Sequence, residues 1–143
     1  MLYEEILESL NKLGVNPETI YSKNRILKEI ELKFSLNKDK IWWLSFCNKK
    51  FFNLDKDDYN GYLKIVDFLN SEKITIKPNH KFYFIIDIDE EHCDKIVAIL
   101  EMKDIIFLIE DNFYFEYYIC STDFSWLLCE NDHNDLMIIY SDL

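Results

Sequence analysis

The chain has two glycines, two prolines and one arginine in 143 residues, and each scarcity removes a class of protein. With only Gly14 and Gly61 available, phosphate-cradling turns that need several glycines are excluded. Collagen-like and linker-dominated chains are excluded by the same counts. The lone arginine, Arg25, and 16 Lys plus Arg against 27 Asp plus Glu leave a formal charge of −11. Nucleic acid is therefore not expected as a ligand, because affinity for a phosphate backbone comes from cations that displace its counterions. The short basic stretches Lys38 to Lys40 and Lys49-Lys50 are too small to reverse that balance and read as solvated loop charge. The negative field disfavours anionic membrane surfaces and would steer a basic protein partner on encounter.

Long hydrophobic runs are also missing. Phe82 to Ile86, Ile105 to Ile109 and Leu136 to Tyr140 are five residues each, against the roughly 20 that a spanning helix requires. Met1-Leu2-Tyr3-Glu4-Glu5 carries acids where a signal peptide carries positive charge, so a cytoplasmic protein is expected. The four cysteines, Cys47, Cys93, Cys120 and Cys129, have no C-x-x-C spacing. Neither a zinc knuckle nor a redox pair is indicated, and buried free thiols are expected.

What is present is apolar and aromatic. Hydrophobic residues make up 49% of the chain, and 11 Phe, 9 Tyr and 3 Trp make 16% of it aromatic. A chain of this length buries about two-thirds of its surface on folding, enough for one self-supporting core, so residues 1–143 read as a single domain. The pattern divides into a helical N-terminal third and a strand-rich remainder. Leu2 to Leu13 places Ile6, Leu7, Leu10 and Leu13 on one helical face, with Gly14 suited to the left-handed position after it. Asn16-Pro17 reads as the cap and first position of a second helix carrying Ile20, Leu27, Ile30 and Phe34, with a break admissible at Ser22 to Asn24. Ile41 to Cys47 reads as a strand. Asp57 or Asp58 can cap a helix lined by Tyr59, Tyr62, Leu63, Val66 and Leu69.

Pro78-Asn79 marks a turn before a strand at Lys81 to Asp87. Over residues 95–111 periodicity admits either a helix on Cys93, Ile96, Val97 and Leu100 or a strand followed by a helix. Phe115 to Ser121, Ser125 to Glu130 and Leu136 to Ser141 read as three strands, the first two joined by Thr122-Asp123-Phe124. The economical architecture is α+β, a mostly antiparallel sheet packed against helices as one two-layer domain.

Candidate chemistry is sparse. Asp55 to Gly61 suggests a calcium loop, but glycine at position six puts Lys56 at position one and Val66 at position twelve, so the motif fails. Asp87 and Asp89 would share a strand face, a hard-cation arrangement without a further ligand specified. Around them Glu90, Glu91, His92 and Asp94 read as a solvated acidic turn. His80, His92 and His133 stand at no nucleophile or metal spacing from one another, and neither H-E-x-x-H nor G-x-S-x-G occurs. Cys129 and His133 form a conceivable nucleophile and base with no third group to orient them. No metal and no cofactor are expected. Trp42-Trp43 and the run Phe113 to Tyr118 would point to both faces of a strand. Some aromatics should then lie near the surface beside acids, as a protein-binding surface requires. The alternative is a sheet whose two faces are covered by helices or by a second copy.

Phe115-Glu116-Tyr117-Tyr118-Ile119, then Trp126-Leu127-Leu128-Cys129-Glu130-Asn131 and His133, resembles the C-terminal signature of a family of small bacterial domains of uncharacterised function. Ile30-Glu31-Leu32-Lys33-Phe34 and Trp42-Trp43 fit the same resemblance, while Asp132 stands where that pattern has a histidine. The resemblance implies strand then helix for residues 95–111, and a kinship with acidic immunity proteins that neutralise bacterial toxins. The −11 charge, the aromatic surplus and the absence of any catalytic spacing make the expected function a non-enzymatic module binding a basic protein. The candidate partner-binding residues are Tyr117, Tyr118, Trp126, Glu130, Asn131 and His133. Two rivals are a small enzyme using the Glu130, Asn131 and His133 turn, and a homodimer joined through an aromatic sheet face. Because no ligand set or C-x-x-C pair is present, thermal melts should be unchanged by a chelator or a reductant. A fall of more than about 5 °C with either, roughly 1 to 2 kcal/mol at this length, contradicts that expectation.

Overall fold

A computed structural model describes residues 2–52, 61–88, 94–112, 114–131, 133 and 135–141. Helix α1 (Leu2–Lys12) buries Ile6 and Leu10, with Leu7 and Leu13 packed beside them. Gly14 adopts φ +70° with nothing near its missing side chain, so glycine is favoured there by backbone conformation alone. The Val15 N–H reaches back to the Leu10 carbonyl at 3.0 Å and closes the helix end.

The second helix starts later than expected. Asn16 and Pro17 lie outside it: α2 (Ile20–Lys33) is capped by Thr19, whose hydroxyl accepts the Ser22 N–H at 3.3 Å. The cause is tertiary, because the Glu18 N–H donates to the Val97 carbonyl at 2.7 Å and holds this stretch against the sheet edge. Ile20 is therefore 74% exposed rather than core, whereas Ile26, Ile30 and Phe34 are buried, and the helix runs through 22–24 unbroken.

The strand expected at Ile41 to Cys47 is instead a 3-10 helix, η1 (Trp42–Ser45). A strand would send Trp42 and Trp43 to opposite faces. The turn seats Trp42 edge-on against Tyr118, centroids 5.2 Å apart, while its indole N–H donates to Glu31 at 3.1 Å. After the short strand β1 (Lys50–Phe52), the expected Asp57 or Asp58 cap and Tyr59 lie outside the described residues. A 3-10 turn, η2 (Gly61–Lys64), leads into α3 (Ile65–Ser71). Ile65, Phe68 and Leu69 face the core of α3, and Val66 is exposed.

Asn79 takes φ +66° in the turn before β2 (Lys81–Asp87). The chain passes straight from β3 (Ile96–Glu101) into α4 (Met102–Asp111), so strand then helix is the order over residues 95–111. Strands β4 (Glu116–Ser121), β5 (Trp126–Glu130) and β6 (Leu136–Tyr140) follow within a residue of their expected bounds. Ser121 closes the β4–β5 turn by accepting the N–H groups of Ser125 and Trp126 at 2.9 and 3.2 Å. The six strands form one antiparallel sheet in the order β1-β6-β5-β4-β2-β3.

The α+β class, the antiparallel sheet and the helical N-terminal part are as expected. One sheet face packs against α1, α3 and α4, and the other packs against α2 and η1. With both faces covered, the central strands read as nearly continuous apolar runs rather than alternating ones. No helix among the described residues is long and apolar enough to cross a membrane. Because Thr19 and not Asn16 caps α2, Thr19→Ala should cost about 1 kcal/mol in urea unfolding, while Asn16→Ala should stay within about 0.5 kcal/mol. Equal losses would place the helix start at Asn16.

Candidate functional site

Strand β4 positions Tyr117 and Tyr118 and its pleat separates them, while Trp126 and Glu130 belong to β5 and Asn131 and His133 to the turn after it. Tyr117 and Ile119 face the α1, α3 and α4 layer, while Tyr118 and Cys120 face α2 and η1. Neither tyrosine is available to a partner: Tyr117 is 1% exposed and Tyr118 fully buried, and Trp126 packs on Phe82 within the first core. The expectation of a binding surface made of these three aromatics is corrected by the sheet having both faces covered. On the strands themselves the exposed aromatics are Phe51 of β1 and Tyr140 of β6.

The Glu130, Asn131 and His133 turn is divided as well. Glu130 is buried and accepts the Tyr117 hydroxyl proton at 2.7 Å. Burial pushes its carboxyl above the ordinary range, and the tyrosine bond opposes that shift. The Asn131 carbonyl is committed to the turn, accepting the N–H groups of His133 and Asp135 at 2.9 and 3.0 Å. Only His133 is exposed. Cys129 is buried, and its thiol is pushed well up by desolvation and by the nearby Glu116 and Glu130. That state opposes the thiolate which a nucleophile paired with His133 would need. Cys120 is likewise buried with a raised thiol, whereas Cys47 is exposed, contrary to the expectation of burial. Cys93, His92 and Asp89, with the rest of the acidic stretch through Glu91, lie outside the described residues, as does Asp132.

The arrangement that the sequence left unassembled is a row of charged side chains across three strands. Register puts Asp87 of β2 directly opposite Glu116 of β4. Lys95, one residue before β3, places its ammonium 3.9 Å from the Asp87 carboxylate and 5.0 Å from the Trp42 ring centre. All three lie on the sheet face that carries η1. The Glu116 carboxyl lies beside Asp87, and the nearby Trp43 indole and Tyr118 phenol favour its ionised form. In turn the Tyr118 oxygen accepts the Trp43 backbone N–H at 3.2 Å.

Burial first, and then the Asp87 carboxyl beside it, push Glu116 up from 4.5 to about 8. Two adjoining carboxyls cannot both ionise cheaply, so the pair holds one proton at neutral pH. The sequence did carry one signal for this: Glu116 is the only charged residue in the aromatic run from Phe113 to Tyr118. Its partner depends on strand register, which periodicity does not give. Among the described residues no group of three or more His, Cys, Asp or Glu is placed to hold a metal ion.

No family model matches the chain, and neither a curated protein nor a solved structure matches it.

Because the folded pKa of Glu116 lies above the unfolded one, the folded state retains a proton that the unfolded state has released between pH 4.5 and about 8. This contribution to stability is full below about 4.5, declines as pH rises toward about 8 and is gone above it. Glu130 has the same sign. Urea midpoints should therefore fall from pH 5 to pH 8, and Glu116→Gln should flatten that fall. An unchanged slope in the variant would show that Glu116 does not hold the proton.

Proposed function

We propose that the protein is a non-enzymatic binding module whose acidic α1 and α4 surface receives a basic protein, in the manner of an immunity protein occluding a toxin. The observation that carries this reading is the segregation of charge between the two sheet faces. On one side, α1 bears Glu4, Glu5 and Glu8 with Lys12, and α4 bears Asp104, Glu110 and Asp111 with Lys103. That is six carboxylates against two lysines on two helices that touch, joined by the Ser9 hydroxyl donating to Asp111 at 2.8 Å. On the other side, α2 bears Lys23, Arg25, Lys28 and Lys33 against Glu29 and Glu31. The net charge of −11 is thus not spread evenly.

Two aromatics are exposed on or beside the acidic helices: Phe107 on α4, and Tyr114 just beyond it. An apolar centre within a charged rim is the composition of protein interfaces in which a few residues supply most of the affinity. Rim charges act mainly on the rate of encounter. The signature-like segment from Phe115 to His133 lends the immunity-protein likeness, standing on those residues alone.

Affinity capture should be run from lysate of the organism that encodes the protein, with wild type and with the triple variant Glu5→Lys, Glu8→Lys, Glu110→Lys. Wild type should retain a basic protein, and its association should slow as salt rises from 0.01 to 0.15 M, where the screening length falls from about 30 to about 8 Å. The triple variant should lose that protein at an unchanged melting temperature, whereas Lys28→Glu on α2 should keep it. Capture of acidic proteins only, or equal capture by the triple variant, refutes the reading.

A further inference from the structure

We propose that the Lys95, Asp87 and Glu116 row and η1 above it form a proton-controlled latch, in which loss of the shared proton loosens η1 from the sheet. The argument begins with charge. With one proton on the carboxyl pair, the row holds one ammonium and one carboxylate and is neutral. Without it, a second negative charge lies half-buried directly beside the first, on opposed positions of adjacent strands. Such a charge needs more water than the row receives, with Asp87 and Lys95 each about a quarter exposed, and η1 lies over the row through Trp42 and Trp43.

The contacts of η1 converge on that row. The Trp43 indole lies on Glu116, the Trp43 backbone is held by Tyr118, and Trp42 sits between Tyr118 and Lys95. Burial is the largest cause of the upward shift at Glu116, exceeding the opposing bonds from Trp43 and Tyr118. Thermodynamic reciprocity then fixes the direction: a closed η1 that disfavours ionisation must itself be disfavoured, by the same factor, once ionisation occurs. The Trp43 indole favours the ionised carboxyl and acts the other way, but it is a smaller effect than burial.

The other ionisable groups facing the row do not replace Glu116 in this role. The Tyr118 phenol and Cys129 thiol are both pushed upward by burial and by Glu116 itself, so they keep their protons in the range where Glu116 loses its own. From α2, Glu31 is engaged by the Trp42 indole, and Lys23 pairs with Asp94 at 3.9 Å near the start of β3. Lys49, before β1, acts on Cys129 and opposes its shift. Ile41, just before η1, and Leu44 within it are exposed, so the outer side of the turn faces solvent.

The test is acrylamide quenching of tryptophan emission between pH 6 and 10, with far-UV circular dichroism recorded on the same samples. In wild type the quenching constant should rise about twofold through a midpoint near pH 8 while the dichroism stays constant. Glu116→Gln should show no rise. Asp87→Asn, which removes the neighbouring carboxylate, should move the midpoint down by about one pH unit. The proposal is overturned by a flat constant in wild type, by a rise that persists in Glu116→Gln, by an unmoved midpoint in Asp87→Asn, or by dichroism that falls together with the quenching change.

Discussion

Two neighbouring tyrosines on one central strand set the terms for everything around them. The pleat of β4 sends Tyr117 into one core and Tyr118 into the other, and a phenol in apolar surroundings costs several kcal/mol if its hydroxyl is left unpaired. Tyr117 resolves this by donating to Glu130, which brings a carboxyl into the first core and raises its proton affinity. Tyr118 resolves it through the Trp43 backbone and Glu116, which ties η1 to the second face. Each buried hydroxyl thus imports a further polar group, and those imports shape the chemistry of the molecule more than any surface motif does.

Aromatic excess has the same origin. A six-stranded sheet covered on both faces needs two sets of large apolar side chains, and this chain fills them with rings. Phe82, Phe84, Phe115, Tyr117 and Trp126 interlock on the first face, while Trp42, Phe46 and Tyr118 do so on the second. Rings that might have served as contacts for a partner are used as packing. The outer surfaces of the covering helices differ in charge and also in apolar exposure, with Ile20, Tyr21 and Leu32 exposed on α2 and Phe107 on α4. The proposed contacts on α1 and α4 would put core and binding surface on different residues, so each could vary without the other.

Much of the fold follows from local pattern. The helix at Leu2 to Leu13 ended by Gly14, the strand at Lys81 to Asp87 and the three C-terminal strands were readable because hydrophobic periodicity and turn residues agreed in those segments. Where they failed, a distant contact had overruled a local preference. Asn16-Pro17 has the composition of a helix start, yet the Glu18 bond to Val97 delays the helix by a turn. Ile41 to Cys47 has the composition of a strand, yet Tyr118, 75 residues beyond Trp43, holds it as a 3-10 turn.

The candidate site was less legible than the fold. Tyr117, Tyr118, Trp126, Glu130, Asn131 and His133 read as one group in the sequence, and the fold distributes them over two cores and a turn, with His133 exposed. Composition by itself determined an acidic, aromatic-rich chain too poor in glycine for nucleotide-binding turns, because those properties are sums over residues; the α+β class came from the order of helical and strand periodicities. Tertiary structure alone decided that Lys95, Asp87 and Glu116 form a row, that Trp43 covers it, and that the acidic residues of α1 and α4 share one side. These are facts of strand register and helix placement, set by contacts between residues far apart in the chain, and a period-two pattern looks the same in every register that keeps its face.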